Sequence, residues 1–440
     1  MNIARLIKGQ PLWRWLGLLL LVLAVVVACA KNPVTGQDEL VLMSEQQELA
    51  MGATYYPQTT QLNHGLPAGD PGLQSYVAGV GRRLAARSHR PNIPWQFNVV
   101  NTSQVNAFAL PGGKISVTRG LVSKMSSEDQ LAAVVGHEIG HVTARHSAAQ
   151  YTRGVLVSLA VVGLAVALSM SDSDWAPVGI VAAGVAGQLL MLSYSRDQER
   201  QADELGYMYM TQNNYNPKGM VQVFEMFKAM QKSEPGFVQA VLSSHPLPSE
   251  RIEAARQRVL HADPRLTSQP LKTQGFNRAL ALQKKRAPAY AAMDKGSALA
   301  SQKRYAEAAS YFQRAISLYP QEGLFHTNLA LVYLQQKNNR AALQEAKTGA
   351  ALSKNNFYAL MVAGATYRVQ GDYRNGAQSH FAASKLLPDQ YINLFYLAYC
   401  LDRLGQRSYA ANYYKQVVKL SPKTKYGTTA QTRLTQLGYK

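Results

Sequence analysis

Residues 127–150 read SEDQLAAVVGHEIGHVTARHSAAQ, and the rest of the chain is best read outward from them. Ser127 and Gln130 form an S-x-x-Q capping box, the signature of a helix start. Leu131, Val134, Val135, Ile139 and Val142 recur at helical spacings and give one buried face, so a helix is predicted from Ser127 to about Gln150. His137 and His141 then lie one turn apart on the same side. With Glu138 they make H-E-x-x-H, in which two imidazoles at i and i+4 can share one metal ion. A catalytic zinc needs three protein ligands and one open position. Zinc lowers the pKa of water, and Glu138 stands beside the pair as the base that removes the proton. The competing reading is a chance match in a solvated helix, and a third ligand decides between the two.

That ligand is sought downstream. A polar helix is predicted from about Ser193 to Thr211, carrying Glu199 and Asp203 four residues apart. Glu199 supplies the third zinc bond in this reading. Asp203, one turn on, accepts a hydrogen bond from a ligand imidazole and fixes its tautomer. Taken alone, the pair is an ordinary charged helix face. Two apolar segments lie between the motifs, Val155 to Met170 and Val178 to Leu192, parted by Asp172, Asp174 and Pro177. Each is slightly short for a membrane span, so a buried or membrane-touching helical hairpin is expected, against the alternative of a true pair of transmembrane helices.

Upstream, Ser44 to Tyr55 has a helical pattern, and Asp70-Pro71 caps and opens a helix to about Arg87. Trp95, Phe97 and Val99 alternate with polar residues, Val105 to Leu110 alternates again, and Ile115 to Thr118 follows the Pro111-Gly112-Gly113 turn. A small, antiparallel sheet is expected.

From about Ala289 a repeat begins. Ala308, Ala342, Gly376 and Ala410 are spaced by 34 residues, as are Pro320, Lys354, Pro388 and Pro422. Gly296, Ala330, Gly364 and Ala398 keep phase, and so do Leu299, Tyr333, Tyr367 and Leu401. Small residues recur where two helices approach and large ones fill the gap. The period resembles the tetratricopeptide repeat, a helix–turn–helix unit, and four units fit.

The N-terminus has the form of an export signal. Arg5, Lys8 and Arg14 precede an apolar run from Leu16 to Ala28, and Val26-Val27-Ala28-Cys29 resembles a bacterial lipobox. Lipidated Cys29 would then tether the chain to a membrane, against the alternatives of an ordinary signal peptide or an uncleaved anchor. Ala30 after the Cys favours the outer membrane over the inner. The only other cysteine, Cys400, sits in a helical pattern and is expected to be buried, so there is neither a disulfide framework nor a Cys-based zinc site. The net charge of +20 suits either a soluble basic protein or attraction to a polyanionic surface such as anionic lipid. No nucleic-acid-binding motif accompanies it.

H-E-x-x-H with the later Glu199–Asp203 pair resembles the gluzincin metallopeptidases of the HtpX and CAAX-prenyl-protease type. Asn106 to Gly113 looks like that family's strand and turn before the active helix, and Ser244-His245-Pro246 with Arg251 resembles its later His-Pro segment. An exported catalytic unit followed by repeats is similar to periplasmic members that act in β-barrel assembly. The resemblance implies an edge strand that pairs with extended substrate, with Asn106 and Ala107 as candidates, against an ordinary structural hairpin. His245 is open to three readings: a transition-state stabiliser, a fourth zinc ligand on a movable loop that keeps the site latent, or a structural loop residue. His64, His89, His146, His261, His326 and His380 are read as surface or core residues, with His146 facing elsewhere on the helix.

The expected fold is mostly α (α+β). A signal peptide over 1–28 and a tether over 29–43 lead to a zinc metallopeptidase domain over 44–265 with a small β-sheet. A linker over 266–288 leads to four repeats over 289–424 and a tail or capping helix over 425–440. The expected function is a zinc endopeptidase of the bacterial envelope with one Zn2+ per chain. It would reside in the periplasm on a lipid anchor and cleave unfolded or misassembled outer-membrane proteins. Its solenoid would hold a protein partner, by resemblance the outer-membrane assembly machinery. The rival is a repeat chaperone or scaffold whose zinc site is latent or structural.

Overall fold

The computed structural model describes residues 29–153 and 193–439. The export signal over 1–28 and the apolar hairpin expected over 155–192 lie outside the described residues. Among the described residues, no helix is long and apolar enough to cross a membrane.

The expected tether is instead packed. Strands β1 (Cys29–Lys31) and β2 (Asp38–Leu40) pair antiparallel, and Val41 and Met43 are buried against Ala148. Helix α1 (Glu45–Leu62) opens on a full Ser44–Gln47 capping box and continues through Pro57. Helix α2 (Pro71–Ala85) starts with Asp70 accepting from the Leu73 amide and Pro71 in its first turn.

The sheet has strands β3 (Gln96–Val100), β4 (Ala107–Leu110) and β5 (Lys114–Thr118) in the order β3-β5-β4. It is mixed, not antiparallel: β5 pairs antiparallel with β4 and parallel with β3. The chain leaves β3, runs back along the far edge as β4, and turns at Gly112 and Gly113 into the slot between them. Both glycines have positive φ, 71° and 79°, and a Cβ on Gly112 would meet the Leu49 backbone at 2.8 Å. The edge strand of this sheet nearest the active helix is β4.

Helix α3 (Arg119–Lys124) leads to the motif helix α4 (Glu128–Thr143). Every residue of α4 from Asp129 to Thr143 is buried, so it is enclosed on all sides and not on one face. It packs on α2, β4, α5 (Arg196–Gln212) and α6 (Lys218–Ser233). The capping box is half formed: Ser127 accepts from the Gln130 amide, but the Gln130 side chain turns to the Ser126 amide. The helix also stops short of the expected Gln150. Arg145 takes φ 55°, and residues 146–153 resume as a separate helical turn. The left-handed residue is held by its guanidinium, which bonds Glu48 at 2.9 Å and the Met43 carbonyl at 2.7 Å.

Helices α7 (Pro235–Ser244) and α8 (Ser249–Leu260) complete the unit that holds the motif helix. The expected linker is largely helical. It contains the end of α9 (Pro264–Thr267), α10 (Gln274–Ala279) and the start of α11 (Ala281–Ser301). Phe276 and Leu280 are buried in the same core as Leu131 and Ile139. The solenoid then pairs α11 with α12 (Tyr305–Leu318), α13 (Gly323–Gln335) with α14 (Asn339–Leu352), α15 (Phe357–Val369) with α16 (Tyr373–Leu386), and α17 (Tyr391–Arg403) with α18 (Arg407–Leu420). Helix α19 (Lys425–Gln436) packs on α18. The phased small residues sit at the crossings: a Cβ on Gly296 would meet Phe312 at 2.9 Å, and one on Gly364 would meet His380 at 2.8 Å. Cys400 is buried as expected.

Helices α4 and α5 meet backbone to backbone. A Cβ on Gly136 would lie 3.1 Å from the Gly206 carbonyl oxygen, one on Gly140 3.0 Å from that of Ala202, and one on Gly206 2.9 Å from the His137 amide nitrogen. Gly206→Ala should cost about 1–3 kcal/mol by overpacking, outweighing the ~1 kcal/mol of helix propensity that Ala gains. Gly236→Ala, where a Cβ meets nothing within 4 Å, is the control. Thermal melting of the two variants should show a lower midpoint for Gly206→Ala alone.

Candidate metal centre

The α4–α5 contact sets Glu199, on the first turn of α5, against the two motif histidines on α4. Ser195 caps α5 by accepting from the Gln198 amide, and the Gln198 side chain returns the bond. This fixes the turn that carries Glu199. His245 arrives from the opposite side as the residue that ends α7.

These four side chains converge. His137 Nε2 lies 3.0 Å from His141 Nε2 and 3.3 Å from His245 Nδ1. Glu199 Oε1 lies 3.3 Å from His141 Nε2 and 2.9 Å from His245 Nδ1. One ligand atom from each of the four falls within 4.8 Å of the others, and all four residues are buried. With metal–ligand bonds of 2.0–2.1 Å, the corners of a zinc tetrahedron are about 3.3 Å apart. Four of the separations are close to that spacing and none exceeds 4.8 Å, so the donor set can share one metal ion. A further sign is Glu138 Oε2, which is buried without a hydrogen-bond partner.

Other groups hold the cluster in place. Asp203 Oδ1 lies 2.9 Å from His137 Nδ1, on the far side of the ring from the cluster. Arg251, from α8, clamps Asp203 with two bonds of 2.7 Å and donates to the Pro246 carbonyl at 2.6 Å. Its Nη1 also stands 2.5 Å from Glu199 Oε2, close but not aligned for a hydrogen bond. Tyr194 stacks on His141 with ring centres 3.8 Å apart, and its amide donates to the Ser244 carbonyl.

The charges explain the protonation of the set. Burial alone would raise Glu199, but the His245 and His137 charges outweigh it and hold the carboxylate far below its usual range. Asp203 follows the same logic: burial opposes ionisation, and hydrogen bonds from His137 and Arg251 win. Burial raises Glu138 despite the nearby His245 and His137. His141 is lowered well below an ordinary histidine, chiefly by burial. Burial also pulls His245 down, but the Glu199 and Glu138 charges more than offset it and raise it.

Beside the cluster is an apolar cavity of about 40 Å³, bordered by Ala107, Val134, His137, Glu138, Phe224 and His245. That is room for roughly two or three waters. Ala107 is therefore near the centre. Asn106 precedes β4, bonds Thr118 through its backbone, and buries its side-chain oxygen without a partner.

One residue departs from expectation. His146 does not face elsewhere: its Nδ1 lies 2.9 Å from His141 Nδ1, and its Nε2 lies 2.8 Å from Gln201 Oε1. On a continuous helix, five residues turn a side chain by about 140°, which is why the sequence pattern pointed it away. The break at Arg145 brings it back. Burial lowers its pKa to about 4, so it is neutral at ordinary pH. The remaining histidines of the described residues lie outside the cluster.

Known proteins place the centre in context. The pattern of Peptidase family M48 matches residues 71–259, and a tetratricopeptide-repeat pattern matches 289–322. The chain is 30% identical over 242 residues to the Beta-barrel assembly-enhancing protease of Yersinia pestis, covering 54% of this chain and 49% of that one. It is 34% identical over 177 residues to the Mitochondrial metalloendopeptidase OMA1 of Schizosaccharomyces pombe, covering 40% of this chain and 50% of that one. To the Metalloprotease YcaL of Escherichia coli it is 31% identical over 205 residues, covering 45% of this chain and 78% of that one. The chain thus spans about half the length of the first two relatives and most of the third. With H-E-x-x-H and a buried His-His-Glu-His cluster inside the matched residues, it belongs to peptidase family M48.

Proposed function

We propose that this chain is a zinc endopeptidase of the bacterial cell envelope that degrades misfolded or misassembled proteins, and that it rests in a closed, latent state. The observation that carries the proposal is the convergence of four buried ligand atoms within 4.8 Å of one another, one of them from His245. His137, His141 and Glu199 are the resident ligands in this reading, and His245 is the latch. Zinc, when bound, acidifies water and polarises a peptide carbonyl. Glu138 takes the proton at its carboxylate and later passes it to the leaving amine. Its buried site, which raises its pKa, suits both receiving and releasing that proton. Asp203, backed by Arg251, positions His137 by accepting from Nδ1.

The latch reading of His245 is favoured over transition-state stabilisation by its contacts. Its Nδ1 sits among the ligand atoms, 3.3 Å from His137 Nε2 and 2.9 Å from Glu199 Oε1. Opening would move the His245–Pro246 segment away and leave the three-ligand site that hydrolysis needs. Extended substrate would then pair with β4 at Ala107, since the backbone N–H and C=O of the other candidate, Asn106, are already taken by Thr118. The supporting features are the edge position of β4 and the place of Ala107 beside Glu138.

The envelope location rests on the export signal and the lipobox ending in Cys29. We read the anchor as lipidated Cys29 in the outer membrane, facing the periplasm. The solenoid is read as a dock for a protein partner, with outer-membrane assembly machinery the candidate that the Yersinia pestis relative's name suggests. A second reading follows from the same closure: a chaperone or scaffold whose four-ligand zinc stays shut.

Purified chain should hold one zinc, and cleavage of an unfolded protein should stop on chelation. Glu138→Gln should lower cleavage by about 10²–10⁴-fold while retaining the metal. Equal activity of wild type and Glu138→Gln, indifferent to chelators, would falsify the peptidase reading.

His245→Ala tests the latch separately. A latch predicts faster cleavage with zinc still bound, whereas a transition-state role predicts loss. Unchanged activity and zinc content would dismiss both roles.

A further inference from the structure

We infer that His146, itself held by Gln201, is a positioning residue for the metal ligand His141; this rests on the zinc reading above. His141 turns Nε2 toward Glu199 and His137, so that nitrogen must present a lone pair to a metal. A neutral imidazole carries its one remaining proton on the other nitrogen, Nδ1. That N–H is buried, and Nδ1 of His146 is its acceptor at 2.9 Å.

Two bare nitrogens do not face each other at this distance, so the proton on His141 dictates the tautomer of His146. His146 must accept at Nδ1 and carry its own proton on Nε2. Gln201 Oε1 receives it at 2.8 Å. The chain of bonds closes with every member satisfied and only when all three tautomer and amide choices agree. Its parts come from one fold feature each. The left-handed turn at Arg145 swings His146 under His141. Helix α5 supplies Gln201, two residues after the ligand Glu199.

The two histidine ligands are therefore supported differently. His137 leans on a carboxylate that is clamped by Arg251, and His141 leans on a neutral imidazole and amide. Such outer partners fix ring orientation and raise ligand basicity, and their loss typically costs 10–100-fold in metal affinity.

The test uses the full-length protein in detergent, stripped of metal and titrated with zinc against a chromophoric chelator. His146→Leu removes the acceptor and should weaken zinc binding by about 10–100-fold. His146→Asn keeps an acceptor near the Nδ1 position and should hold zinc close to the wild-type level. Gln201→Leu should lose a smaller part of the affinity. The visible spectrum of the cobalt-substituted protein should shift in His146→Leu and not in His146→Asn. Wild-type affinity and spectrum in His146→Leu would overturn the inference, as would equal losses in the Leu and Asn variants, which would mark simple packing. If the Leu variant fails to fold, nitrogen-15 NMR of the wild type decides: a proton on His146 Nε2 is expected, and one on Nδ1 overturns it. A wild type that takes up no zinc would overturn the zinc reading and this inference with it.

Discussion

The whole centre depends on how closely two helices can approach. Gly136, Gly140 and Gly206 leave no side chains between α4 and α5, so the two backbones touch. A carboxylate reaches only a few ångströms from its own backbone. Glu199 can meet both His137 and His141 because the helix that carries it is this near. The same contact sets the depth of Asp203 behind His137 and of Gln201 behind His146. One face of α5 therefore contributes a ligand and both outer supports, and any added methyl at the crossing disturbs all three together.

Burial is the second constraint, and it works against the first. Every ionisable member of the cluster is taken out of water, which is costly unless opposite charges or hydrogen bonds compensate. The compensation here is dense: Arg251 between Asp203 and Glu199, His245 between Glu199 and Glu138. The His245 ring thus stands between two carboxylates, 2.9 Å from Glu199 and 3.7 Å from Glu138.

How much of this was legible in the sequence follows from the range of each signal. H-E-x-x-H, Glu199 with Asp203, and the 34-residue period are local patterns with one periodicity, and the structure places them on the helices that the patterns indicate. What was missed is non-local. The parallel β3–β5 pair depends on the path between strands, which alternation does not encode. His146 was assigned to the wrong side because nothing in VTARHSAAQ announces a left-handed Arg145; its support comes from Glu48 and Met43, about a hundred residues upstream. Residues 266–288 were expected to be a linker because they fall between the metallopeptidase pattern and the first repeat. Yet Lys272 bonds Asp129 at the start of α4, and Phe276 fills the core.

That last correction changes how the two halves of the chain relate. A flexible linker would let the solenoid move freely of the metal centre. Here Leu280, buried in the first core, leads directly into α11, whose later turns lie in the second core, and polar contacts pin it: Gln283 to Asp70 at 2.7 Å, and the Arg119 guanidinium 3.5 Å from the centre of the Tyr290 ring. Arg119 also donates to Ser103 at 2.6 Å, in the segment that leads into β4. Farther along, Asn356 donates to the His64 carbonyl, tying the third repeat to the end of α1. The repeats are therefore joined by direct contacts to the segments that flank the edge strand, through Arg119, Gln283 and Asn356.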